Sequence, residues 1–176
     1  MVMKTPSTLL LLLLGACSTN QTTPVKTVEH VDIPRFMGKW YVIANIPTFI
    51  EKGAFNAIET YTLNEKEKRI DVDFKFNQDS FQGKEKSYPQ KAFIFDHKTN
   101  AEWRIQPFWP LKFAYLITDL APDYSYTVVA VPNRKNVWIM ARTPTLPEAT
   151  YQEILAKLKA QSFDLKELQT VPQEAK

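Results

Sequence analysis

Polar and apolar side chains alternate in short runs from Trp40 to Ala141. The clearest run sets Ile70, Val72, Phe74 and Phe76 against Arg69, Asp71, Asp73 and Lys75. A period of two puts one set on a dry face and the other in water, which predicts a half-buried β-strand. Residues 101–106 repeat the pattern, with Trp103 and Ile105 opposite Glu102, Arg104 and Gln106. Further strands are predicted over 40–46, 56–63, 83–95, 113–120, 126–131 and 137–141, which brings the number to eight. Pro89 lies inside the fourth and predicts a bulge or an edge-like interruption, because proline offers a sheet no N–H. Short turns such as 64–68 and 132–136 separate the runs. Even spacing of this kind predicts an all-β fold, an up-and-down antiparallel meander closed into an eight-stranded barrel.

After Pro144 the period changes. Pro147 and Glu148 start a helix in which Tyr151, Ile154, Leu155 and Leu158 recur at i, i+3, i+4 and i+7, so one apolar stripe packs on the outside of the barrel. A short final strand is expected within 164–170, followed by a frayed tail over 172–176. Ahead of the first strand, 31–36 predicts a turn whose apolar side chains close one barrel end. The pattern leaves two inward faces open: Val42 and Ile43 are both apolar, and so is most of 92–95.

The N-terminus follows a different rule. Lys4, the unbroken apolar run Leu9–Leu14 and then Gly15-Ala16-Cys17 predict a secretory signal peptide over 1–16. The run is far short of the ~20 residues that span a bilayer as a helix. Leu14-Gly15-Ala16-Cys17 resembles the lipobox of bacterial lipoproteins. That resemblance implies diacylglycerol on the Cys17 thiol and a third acyl chain on its amine. Each buried methylene contributes roughly 0.8 kcal/mol, and stable anchoring takes more than one chain. Ser18 stands where an Asp commonly retains lipoproteins in the inner membrane, so the expected location is the bacterial outer membrane, with the domain facing the periplasm. Residues 17–30 are expected to be the lipidated N-terminus and a flexible tether, and 31–176 the single folded domain.

Removing 1–16 takes the formal charge from +3 to +2, with both signs interspersed, so the chain lacks the basic field that nucleic-acid binding needs. Cys17 is the only cysteine, which excludes an internal disulfide and a cysteine metal site. His30 and His97 are the only histidines and read as surface residues. There is no Gly-X-Ser-X-Gly elbow, no His-X-X-X-His pair and no glycine-rich phosphate loop. No catalytic residue, metal or cofactor is expected, and the chain reads as a non-enzyme.

Three segments carry a stronger signal. Gly38-Lys39-Trp40-Tyr41 combines a tight backbone turn with a large indole, Asp123-Tyr124 follows the sixth strand, and Arg142-Thr143-Pro144 ends the eighth. In order and spacing they resemble the three conserved regions of the lipocalin family, its bacterial and apolipoprotein D-like members in particular. The resemblance spans 31–170, with Pro122 in place of the usual Thr. It implies a lipocalin calyx sealed at the Gly38 end and a guanidinium from Arg142 lying on Trp40. Gly38, Trp40, Asp123, Tyr124 and Arg142 are accordingly expected to be scaffold.

The large inward aromatics suit pocket walls. Phe74, Phe76, Trp103, Phe108, Trp109, Phe113, Tyr115 and Trp138 are the expected ligand-binding residues, with Lys112 near the mouth to attract a phosphate or carboxylate. The resemblance implies a fatty acid or lysophospholipid as partner, held for lipid storage, transport or envelope maintenance, and allows a homodimer. The alternative is an envelope interaction lipoprotein whose barrel is filled by its own side chains.

Overall fold

The computed structural model describes residues 23–174. The leader, Cys17 and the first part of the expected tether lie outside the described residues. A single turn of helix, α1 (Ile33–Phe36), precedes β1 (Gly38–Ile46), β2 (Ala54–Asn64), β3 (Arg69–Gln78), β4 (Glu85–Ile94), β5 (Glu102–Phe108), β6 (Leu111–Leu120), β7 (Tyr126–Ala130) and β8 (Val137–Ala141). Helix α2 (Glu148–Ala160) and the two-residue β9 (Gln169–Thr170) complete the order. Each of β1 to β8 pairs antiparallel with its neighbours, and the β1–β2 pairing closes the barrel. The eight expected strands and the outer helix are all present, with bounds shifted by a few residues.

Closure is incomplete at one seam. β1 and β2 pair only from Gly38↔Tyr61 to Tyr41↔Ile58. Beyond that point the C-terminal strap enters between them. β9 pairs with Ala44 and Asn45, Val171 donates its N–H to Ile43 O, and Asn56 donates to Pro172 O. Gln173 Nε2 then bridges the two strands by donating to Val42 O at 2.8 Å and Ala57 O at 3.0 Å. The tail expected to fray is thus bound through Glu174, because the parted strands leave backbone groups that need partners.

Pro89 sits opposite Asp73 without a shift in register, and the β4–β5 ladder begins only at Lys91. The edge-like alternative is the one observed. In β1 the register shifts between Val42 and Ala44. Trp40 and Val42 face inward, and past the bulge Asn45 does so while Ala44 and Ile46 face α2. A bulge changes which side of the strand the following residues occupy, and alternation alone could not reveal it.

Two apolar layers result. Inside the barrel, Phe36, Trp40, Tyr61 and Trp103 pack ring to ring, with Phe36 centred 5.1 Å from Trp40 and 5.2 Å from Trp103. Outside, Ile154, Leu158 and Phe163 cover Ala44, Val128, Val137 and Ile139. The described part of the expected tether lies along the wall, where Val28 donates to Ile117 O, and the domain's first residue, Val31, donates to Thr99 O. Turns 47–53, 79–84, 109–110 and 131–136 lie at one end, the mouth; turns 65–68, 95–101 and 121–125 lie with α1 at the other, the base.

Candidate functional site

The base is built by the motif residues. Arg142 stands 3.7 Å over the Trp40 ring, as expected. Its Nη1 donates to Lys39 O and its Nη2 to Arg35 O and Phe36 O, while Trp40 Nε1 donates to Phe36 O at 2.9 Å. Gly38 adopts a φ of +96°, and a Cβ there would meet Arg142 Nη1 at 3.4 Å. That distance is an ordinary contact, so it is the left-handed turn that calls for glycine here. Tyr124 accepts the Asp32 N–H at its hydroxyl and lies beneath the Arg35 guanidinium, and Asp123 accepts the Ser125 N–H.

Above this floor the interior turns polar. Glu59 on β2 is 6% exposed and its Oε2 accepts hydrogen bonds from the hydroxyls of Tyr61 and Tyr115, which also touch each other. Closer to the mouth, turn 47–53 carries Glu51 inward. Its Oε1 accepts from Trp138 Nε1 at 2.9 Å and its Oε2 from the Thr48 N–H at 2.8 Å, with Asn45 Nδ2 at 3.5 Å. Burial raises the Glu59 carboxyl from its ordinary 4.5 to about 7, against the hydrogen bond from Tyr61 and with help from the charge of Glu51. Burial also raises Glu51, opposed by its bonds to Thr48 and Trp138. The hydroxyls of Tyr61 and Tyr115 are pushed well above their usual range by burial, then by the charge of Glu59.

Of the expected ligand-binding residues, Phe74, Phe76, Trp103, Tyr115 and Trp138 do line the interior. Tyr115 is centred 6.0 Å from both Trp103 and Trp138, and Phe74 lies 5.3 Å from Phe76. Trp103 belongs to the floor, with its Nε1 donating to Asn100 O. Phe113 shares the inward face of β6 at the mouth and is half exposed. Phe108 and Trp109 stand apart from the interior on the exposed β5–β6 hairpin, so they form rim and not wall. Lys112 lies at the mouth end of β6, with its Nζ 4.0 Å over the Phe93 ring, where an aromatic quadrupole attracts it.

The expected open cup is closed in this structure. Phe74, Phe76, Trp103, Tyr115 and Trp138 are each at most 7% exposed, so their own packing fills the space between them. Two clefts of about 510 and 590 Å³ lie outside the barrel, one beside the start of α2 and one beside turn 131–136. Sequence reasoning missed Glu51, Glu59 and Tyr61. A signal existed for two of them: Ala57, Glu59 and Tyr61 share one period-two face, but a carboxylate on a strand is ordinarily assigned to water. Among the described residues no cluster of His, Cys, Asp and Glu could hold a metal ion.

The lipocalin-like domain model matches residues 31–173, which is most of the chain. The chain is a lipocalin. Its relatives include the outer membrane lipoprotein Blc of Escherichia coli K12, 30% identical over 155 residues, with 87% of this chain and 86% of that protein covered. Temperature-induced lipocalin-1 of Arabidopsis thaliana is 28% identical over 158 residues, covering 85% of this lipocalin and 83% of the plant protein. Mouse apolipoprotein D is 26% identical over 166 residues, with coverage of 91% and 84%. Among solved structures, lobster apocrustacyanin A1 superposes with a TM-score of 0.64 at 15% identity, over 82% of this lipocalin and 81% of that chain. That likeness concerns the fold. Lipocalins are known for binding small hydrophobic ligands and are generally binding proteins, not enzymes. The bacterial relatives named as outer membrane lipoproteins support a place in the cell envelope. No helix among the described residues is long and apolar enough to cross a membrane.

Proposed function

We propose that this lipocalin is an outer-membrane lipoprotein, acylated at Cys17 and facing the periplasm, that takes one amphiphile into the upper half of its barrel. The observation that supports this reading is the polar cluster of Glu51, Glu59, Tyr61, Tyr115 and Trp138 set among aromatic walls. A barrel filled only for stability gains nothing from two buried carboxyls, since burial of an ionisable group is unfavourable and such groups concentrate at functional sites. Phe74, Phe76, Phe113, Tyr115 and Trp138 then contact the acyl chain once turn 47–53 and its Glu51 move aside. Of the two expected ligand classes, a lysophospholipid bearing an ammonium group suits the carboxyls better than a fatty acid, whose own carboxylate would meet like charge. Storage, transport or envelope maintenance follow from holding such a lipid beside a membrane.

A second reading, a filled barrel that docks an envelope partner, is favoured by the near-complete burial of the interior rings. One experiment separates the two. Chain purified without detergent is extracted into organic solvent for mass spectrometry, and its Trp fluorescence is titrated with a long-chain lysophosphatidylethanolamine. Near-stoichiometric lipid and saturable quenching support the carrier. Repeated absence of lipid and a flat titration support the filled barrel.

A further inference from the structure

Three features meet at the mouth end that neither the barrel interior nor its polar cluster explains. The first is apolar: Phe49 and Trp109 are each 84% exposed and Phe108 is 60% exposed, on two different turns of the same end. Side chains of this size left in water ask for a partner, and Trp and Phe are at home where headgroups meet acyl chains.

The second is charge. Turns 47–53, 79–84, 109–110 and 131–136 carry Lys52, Lys84, Arg134 and Lys135, and among these described residues the single exposed acid is Asp79, since Glu51 points inward. The base differs: its turns with 142–147 carry Lys66, Lys68, Lys98 and Arg142 against Glu65, Glu67, Asp96 and Asp123. Arg134 and Lys135 share a cleft with Asp164 and Glu167 at the mouth end, so the cations that stand apart from those acids are those of turns 47–53 and 79–84, Lys52 and Lys84.

The third is where the N-terminal segment begins. Thr23 O accepts a hydrogen bond from Arg134 Nη2 of turn 131–136, so the described chain starts at the mouth and runs down the wall to Val31 at the base. Cys17 is six residues ahead of Thr23, a reach of at most about 21 Å for extended backbone. An acyl anchor at Cys17 therefore holds the mouth, not the base, against the bilayer.

We infer that the mouth rim is a membrane-docking surface: Phe49, Phe108 and Trp109 enter the headgroup layer of the anchoring leaflet while Lys52 and Lys84 face anionic lipid phosphates. The barrel then stands upright on the membrane, mouth down, and its interior communicates with the bilayer instead of the aqueous phase. Docking in this form depends on the Cys17 anchor proposed above.

Trp109 makes the test direct, because Trp40, Trp103 and Trp138 are buried. Full-length acylated chain is reconstituted into vesicles of phosphatidylethanolamine and phosphatidylglycerol, with flotation to score anchoring. Lipids brominated near the headgroup quench the Trp109 emission, and aqueous iodide does not reach it. Trp109→Phe abolishes the bromolipid-sensitive component. The double change Lys52→Glu with Lys84→Glu lowers the quenching by about two-fold or more, and Lys66→Glu with Lys68→Glu at the base leaves it unchanged. A chain that floats while Trp109 stays open to iodide overturns docking and leaves the anchor standing. A chain that does not float overturns both. Shielding of Trp109 from iodide before any vesicle is added, with a dimer in sedimentation, assigns the rim to a second copy and overturns docking on lipid.

Discussion

The indole N–H of Trp138 donates 2.9 Å to Oε1 of Glu51, tying the barrel wall to the mouth turn 47–53. The same carboxylate takes the Thr48 N–H at its other oxygen, so one side chain fixes both the turn and its seat on the barrel.

Glu51→Ala removes that tie. Amide hydrogen exchange across 47–53 is expected to accelerate at least several-fold, since the loss of a charge-assisted hydrogen bond is worth roughly 1.5 to 3 kcal/mol, and the Trp emission is expected to shift as Trp138 loses its acceptor. Unchanged exchange in the turn would show that Glu51 does not hold it.

Glu59 gives the fold a pH dependence of definite sign. The folded state keeps the proton to about pH 7, whereas the unfolded chain releases it near its ordinary 4.5. Stability therefore falls as pH rises through that window, by roughly 3 kcal/mol for this group, and is level above it. Glu51, raised by the same cause, adds to the slope. Asp71, Asp96 and Asp123 are lowered, chiefly by hydrogen bonds from Arg69, Thr99 and Ser125, so their contribution is lost only at more acid pH. Urea unfolding from pH 4.5 to 8 should show the decline in the wild type and a flatter profile in Glu59→Gln.

Arg142 combines a ring contact with three backbone carbonyls. Arg142→Ala is expected to destabilise by about 2 kcal/mol, and Arg142→Lys by less, because an ammonium keeps the charge but cannot span the same carbonyls. Denaturant midpoints check the order; equal losses would show that planar geometry is unimportant here.

At the strap, Gln173→Ala leaves Val42 O and Ala57 O without their shared donor, and Val171→Ala removes buried methyl groups from the core. Losses of about 1 kcal/mol and 1 to 2 kcal/mol are expected. Exchange should rise first at Val171 and Asn56, whose N–H groups donate across the seam. Global melting without that local opening would argue against a seam.

Strand β3 was fully legible because Ile70, Val72, Phe74 and Phe76 have one dry face and charged neighbours on the other. Strand β1 was legible only in part, since its bulge rotates Asn45 inward and no pattern of Val42 and Ile43 announces that. Strand β2 misled: Glu59 is polar and buried, and its carboxylate is satisfied by Tyr61 on the same strand together with Tyr115, 56 residues away in sequence.

By itself the sequence determined the meander and the outer helix, because strand period and helix period are local properties that a one-dimensional pattern carries, while the Gly38, Trp40 and Arg142 base was implied by the resemblance to lipocalins. Tertiary structure alone decided that Glu51 and Glu59 face a common interior, that 169–174 occupies the gap between β1 and β2, and that Thr23 begins at the mouth end beside Arg134. Those relations join residues far apart in the chain, and they exist only once the first and last strands are brought together by barrel closure.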